Sequence, residues 1–171
     1  MKTYCTVSAG AEAIVEVSGS DLSDLIRDAV SHGAAARFRA SGASMSPFLR
    51  EGDVVTVSPL AGRQPRLGDV AAFVEPATGK CIVHRVVGTR PEGVLIQGDA
   101  REQADGWMDP SQILGRVSRV ERDGRRVGLG FGPERRAIAL SVRWGFVGPL
   151  RSLWHRLRPR GGYAWSTRKE G

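Results

Sequence analysis

Between residues 22 and 30 the apolar side chains Leu22, Leu25, Ile26 and Val30 recur at helical spacing. Ser20 stands ahead of them as an N-cap and early aspartates suit the positive helix end. Gly33 supplies the stop, so the spacing predicts a helix over 20–33. From Ala36 the period falls to two. ARFRAS, GDVVTVSPL, GDVAAFVEP, KCIVHRVVG, GVLIQGD and ILGRVSRVERDG read as short strands parted by Gly, Pro and Asp turns. ATGK (77–80) and RPEG (90–93) read as hairpin tips. The pattern predicts a mainly β fold, with a compact, curved β-domain over residues 36–127. Residues 1–19 alternate weakly and add one expected strand, which with the helix forms an N-terminal extension of residues 1–35.

The alternation stops after Gly132. In PLRSLWHRLRP, Leu150, Leu153, Trp154 and Leu157 share one helical face, and Arg151, His155, Arg156 and Arg158 occupy much of the rest. This is an expected basic amphipathic helix in a tail of residues 128–171, whose end, RPRGGYAWSTRKEG, is expected to be disordered.

Composition changes this picture in two places. The 171 residues suffice for one domain with appended structure and a real core. Cys5 and Cys81 lie far apart with no neighbouring ligand types, which suggests neither a disulfide framework nor a zinc site, and a reducing compartment is the default. Charge is unevenly placed. Residues 1–132 hold 16 Lys/Arg and 16 Asp/Glu, whereas residues 133–171 hold 9 and 2, so the formal +7 belongs to the tail. A neutral β-domain with no helix-turn-helix pattern argues against nucleic acid. The tail fits an anionic membrane surface or acidic partner, or else docks on its own domain. No continuous apolar run has the length of a transmembrane helix, and the N-terminus lacks a signal-peptide core. The expected location is therefore cytoplasmic, with peripheral membrane contact. GLGFG (128–132) lacks phosphate-loop spacing, and no cofactor or metal is expected.

Candidate chemistry concentrates in the β-region. SGASMSPFLREGDVV (41–55) sets a hydroxyl, Ser44, between a glycine turn and the plug Met45-Ser46-Pro47-Phe48. A serine hydroxyl needs a base within hydrogen-bond reach. His84, among the apolar residues of CIVHRVVG, is the candidate. A carboxylate would then fix the imidazole tautomer. Asp99 and Asp105 both follow a strand and both qualify. Lys80 lies four residues before His84, roughly 13 Å along a strand, too far to replace it. Taken singly, such residues are ordinary turn formers, packing residues and caps; their joint order carries the signal.

That order is S-G-x-S-M-x-P-x-L, G-D-x-V-x-V, G-D-V-x-x-F, V-H-R-V-V-G and a Gly-Asp strand end, running from about Ala40 to Val120. It resembles the superfamily of signal peptidase I and LexA-like serine peptidases. The resemblance implies a LexA/signal-peptidase-like β-domain, with Ser44 as nucleophile and Met45 packed beneath it. His84 occupies the general-base position, as in the archaeal and endoplasmic-reticulum signal peptidase branch rather than the Ser-Lys branch. Asp105 matches the orienting aspartate and Asp99 the aspartate of the Gly-Asp motif, a possible additional acid. Gly42 stands where signal peptidases usually carry serine, a spacing closer to the LexA-like branch, and their N-terminal anchor is not seen. The implied function is a serine endopeptidase acting on a polypeptide. The alternatives are a catalytically idle peptide-binding relative and a LexA-like switch that cuts itself within SAGAEA (8–13).

Overall fold

A computed structural model describes residues 3–8, 12–17 and 19–146. The ten strands found among these residues are β1 (Thr3–Ser8), β2 (Glu12–Val17), β3 (Ala35–Arg39), β4 (Val54–Ser58), β5 (Val70–Val74), β6 (Cys81–Arg90), β7 (Gly93–Gln97), β8 (Gly106–Met108), β9 (Ile113–Arg122) and β10 (Arg125–Arg126). Two α-helices, α1 (Gly19–Ser31) and α2 (Arg135–Arg143), complete the set with a short 3-10 turn at Pro110–Gln112. All strands join one antiparallel sheet ordered β2-β1-β3-β4-β9-β5-β6-β7-β8, with β10 folding back on β9.

The fold is mainly β, as the alternation predicts, and each of the six expected strands is present. Three features differ in detail. Residues 3–17 form two strands rather than one, and β1 pairs with β3, so the N-terminal extension shares the sheet of the domain. α1 begins at Gly19, which puts Ser20 inside the first turn rather than at the cap. Residues 135–143, assigned by sequence to the basic tail, form α2 and pack on β6 through Ala139 and Val142 against Val87. The amphipathic helix expected around 150–157 lies outside the described residues.

Burial follows the periods that the sequence displays. Leu22, Ile26 and Ala29 of α1 join Phe38, Met45, Leu49, Val55, Val57 and Val120 in the main core. Ile26 is fully buried, a contribution of about 1.5–3 kcal/mol relative to exposure. Gly33 stops α1 at φ +77°, a conformation costly for any side chain, with its N–H bonded to the Val30 carbonyl. A second cluster joins Ala71, Phe73, Val86, Ile96 and Met108 on β5 to β8. Irregularities at Thr56/Val57, Ala72/Phe73 and Val86/Gly88 interrupt the ladders, and such bulges bend a strand. Along β6 the pleat sends His84 and Val86 to one face and Arg85 and Val87 to the other. This alternation sets both the site and the seat of α2.

Candidate active site

Ser44 sits on the loop between β3 and β4. The loop base is closed by Ala40 N–H to Asp53 O (2.8 Å) and Gly52 N–H to Ala40 O (2.9 Å). Gly42 turns at φ +88°, and the Ser46–Pro47 peptide is cis. Met45 and Leu49 plunge into the core, so the hydroxyl between them and the turn is fixed by packing below it. The far side of the loop is clamped by Asp53. Its carboxylate receives Arg122 in a two-bond fork at 2.8 and 2.7 Å and the Arg50 N–H at 2.8 Å, while Arg122 also donates to Phe48 O. These bonds to Asp53 hold the Arg122 guanidinium above its usual range, although partial burial opposes them.

His84 lies in mid-β6, opposite Ala71 of β5, with only 2% of its surface exposed. Phe73 flanks its ring at 6.1 Å between centroids. The ring's Nε2 is 2.8 Å from Ser44 Oγ, and its Nδ1 is 2.6 Å from Asp105 Oδ2. In the neutral imidazole paired with an ionised carboxylate, which can only accept, Nδ1 would carry the proton and the Nε2 lone pair would face the Ser44 O–H. The three side chains come from positions 44, 84 and 105 and meet only because β6 runs between the two loops.

Asp105 ends the loop that follows β7. This loop is held by Asp105 N–H to Ile96 O (2.9 Å), Arg101 N–H to Gly98 O (2.9 Å) and Gln97 Nε2 to Arg101 O (2.8 Å). It is tied directly to the serine turn by Ala100 N–H donating to Ser44 O at 2.8 Å. The Ser44 amide itself donates to no acceptor among the described residues. Arg101 reaches Asp105 only at 3.8 Å and from an exposed position.

Asp99, the other candidate acid, goes elsewhere. Its two oxygens accept from Arg85 Nε and Nη2 at 2.7 Å each, and both residues are fully buried. Burial pushes the Asp99 carboxyl up, against the opposing pull of the Arg85 hydrogen bonds and charge. Its backbone N–H points at Met45 Sδ, 3.5 Å away, so the pair braces the floor of the serine turn and does not hydrogen-bond the His84 ring. Lys80 stands exposed at the β5–β6 hairpin tip, away from Ser44.

Two positions that the sequence reading passed over matter here. Arg85 spends its remaining donors on Gly68 O and Gly130 O at 2.9 Å, joining β6 to the loop before α2. A guanidinium in the apolar run CIVHRVVG demands such partners, and that demand was readable. Gly98 is the second. A Cβ there would lie 2.8 Å from Ser44 O and 3.0 Å from His84 Nε2, so only glycine lets the loop approach this closely. Beside Ala100 and Asp105 opens a cleft of about 800 Å³, walled by Phe73, Pro76, Ala77 and Arg101.

No protein-family model and no curated protein matches this chain. Among the described residues no cluster of His, Cys, Asp and Glu is arranged to hold a metal ion, and no helix is long and apolar enough to cross a membrane.

Proposed function

We propose that the chain is a serine endopeptidase whose β-domain is of the LexA/signal-peptidase type. The reading is carried by one observation, the continuous Ser44–His84–Asp105 relay at 2.8 and 2.6 Å. Ser44 Oγ attacks the carbonyl carbon of a peptide while its proton passes to His84 Nε2. Asp105 stabilises the imidazolium that forms. The tetrahedral oxyanion takes a hydrogen bond from the Ser44 N–H, a contribution of about 2.7–4 kcal/mol for one such donor. His84 then returns the proton to the leaving nitrogen, the C–N bond breaks, and an acyl-serine remains. Water, deprotonated by His84, releases the acid and restores the hydroxyl.

Ser44 is half-buried, and the cleft next to the relay is lined by Asp105 and by Ala100, whose N–H donates to Ser44 O, a setting in which a segment of polypeptide could reach the hydroxyl. The relay is already within hydrogen-bond length, which favours a working enzyme over an idle peptide binder. Cleavage in trans is favoured over cleavage within residues 8–13. The flanks of that segment are paired with each other from Thr3↔Val17 to Ser8↔Glu12, and Cys5 to Ser8 pair with β3. Exposure of the pure chain to a fluorophosphonate probe, followed by intact-mass measurement, tests the reading. One adduct is expected on the native chain and none on Ser44→Ala or His84→Gln. Labelling of Ser44→Ala at the native rate would sink it.

A further inference from the structure

The outer face of α2 has no use in the relay. Its inner residues Ala139 and Val142 are buried on β6, on the sheet face opposite His84. Arg136, Leu140 and Trp144 point outward, and Arg143, also exposed, reaches along the edge of α2 with its Nη1 close to Gly88 of β6. Leu140 and Trp144 are four residues apart and so lie side by side on a helix, with Arg136 one further turn back. Trp144 is 71% exposed, Phe146 62% and Leu140 46%, three large apolar side chains in the last turn of α2, at its C-cap and in the turn just beyond it. Residues 135–146 contain three arginines and no acid, and Arg136 and Arg143 form no ion pair among the described residues.

We propose that this face docks on an anionic lipid bilayer. Indole and phenyl rings settle at the headgroup boundary, and flanking guanidiniums meet phosphate. The charge pattern selects this occupant over a second copy of the chain, because apposing two such faces would bring like charges together. The chain beyond the described residues has the same character: residues 147–171 add 6 Lys/Arg against one Glu, with two further tryptophans. Docking through α2 leaves the opposite face of β6, and with it His84 and Ser44, turned away from the lipid. The enzyme would be held at a membrane with its cleft open to the aqueous side.

The test uses the full chain and sedimentation with large vesicles of phosphatidylcholine and phosphatidylglycerol, compared with phosphatidylcholine alone. Native protein is expected to pellet with the anionic vesicles at low salt and to be released at high salt. Arg136→Gln/Arg143→Gln should weaken partitioning by about thirtyfold, since each cation near the surface is worth about a factor of five. Leu140→Ser/Trp144→Ser/Phe146→Ser should weaken it by at least about tenfold without lowering Tm, because the side chains are exposed. Native partitioning by both variants overturns the proposal. So does equal binding to neutral vesicles, or a dimer without lipid that the triple variant abolishes. Fluorophosphonate labelling of the same samples is expected to be unchanged in both variants, so a failure of docking is distinguishable from a failure of the peptidase reading.

Discussion

Gly98→Ala adds one methyl group at the point where three parts of the site converge. The new Cβ would sit 2.8 Å from Ser44 O, 3.0 Å from His84 Nε2 and 3.2 Å from Arg101 Cγ. Ordinary contact begins near 3.4 Å, so the serine carbonyl and the imidazole must together yield by about 0.4–0.6 Å. Arg101 can swing aside, being exposed, but Ser44 O is fixed by the Ala100 N–H and the ring by Asp105. A misplacement of 1 Å in a reacting array costs on the order of 10²-fold, so half that displacement predicts about tenfold slower acylation. The loss of stability should be of the same order as the roughly 1.4 kcal/mol that a tenfold rate change represents. Overpacking costs about 1–3 kcal/mol, while alanine recovers about 0.4–1 kcal/mol by restricting the unfolded chain, leaving a net loss of about 0.5–2 kcal/mol. The assay is the second-order rate of fluorophosphonate labelling beside a thermal melt. Gly128→Ala is the control, because a Cβ there meets nothing within 4 Å. Labelling of Gly98→Ala within twofold of the native rate would refute the reasoning: the close approach would then not constrain the relay.

Other consequences are more direct. Asp105→Asn should slow labelling by on the order of 10³–10⁴-fold with little change in Tm, since the amide no longer holds the protonated Nδ1 tautomer; retained labelling would remove Asp105 from the relay. Asp99→Asn should do the reverse, costing about 3–5 kcal/mol in denaturant unfolding by leaving Arg85 buried beside a neutral group, while any folded fraction still labels. Glu134's own backbone N–H, and then the amides of Gly130 and Gly132 that donate to its side chain, hold its carboxyl below the usual range. A depressed carboxyl stabilises the fold above about pH 4.5 and loses that effect as pH falls through its folded value. Tm measured from pH 7 to pH 3 should therefore drop less steeply on the acid side for Glu134→Gln, and parallel curves would count against this capping role.

The local elements were legible because each depends on neighbours in sequence. The four apolar residues of 22–30 specify α1 wherever it packs, and the period of two from Ala36 to Val120 specifies half-buried strands. The order of motifs around Ser44, His84 and Asp105 could also nominate the three residues. Taken by themselves the residues left both Asp99 and Asp105 open, six positions apart on the same loop, and only the resemblance favoured Asp105. That choice was made by the pleat of β6, which points His84 to one face and Arg85 to the other and so hands each acid a different partner. Gly98 looked like part of a motif and not like a necessity, because its constraint comes from Ser44 and His84, remote in sequence and close in space. The short strands β8 and β10 carry too few residues to show a period and exist as ladder partners of β7 and β9. α2 was hidden for a related reason. Its charge marks a tail, and only packing on Val87, with Arg85 bonded to Gly130 just ahead of it, makes it part of the fold. Sequence periodicity records which faces must be buried; tertiary structure alone decides what covers them.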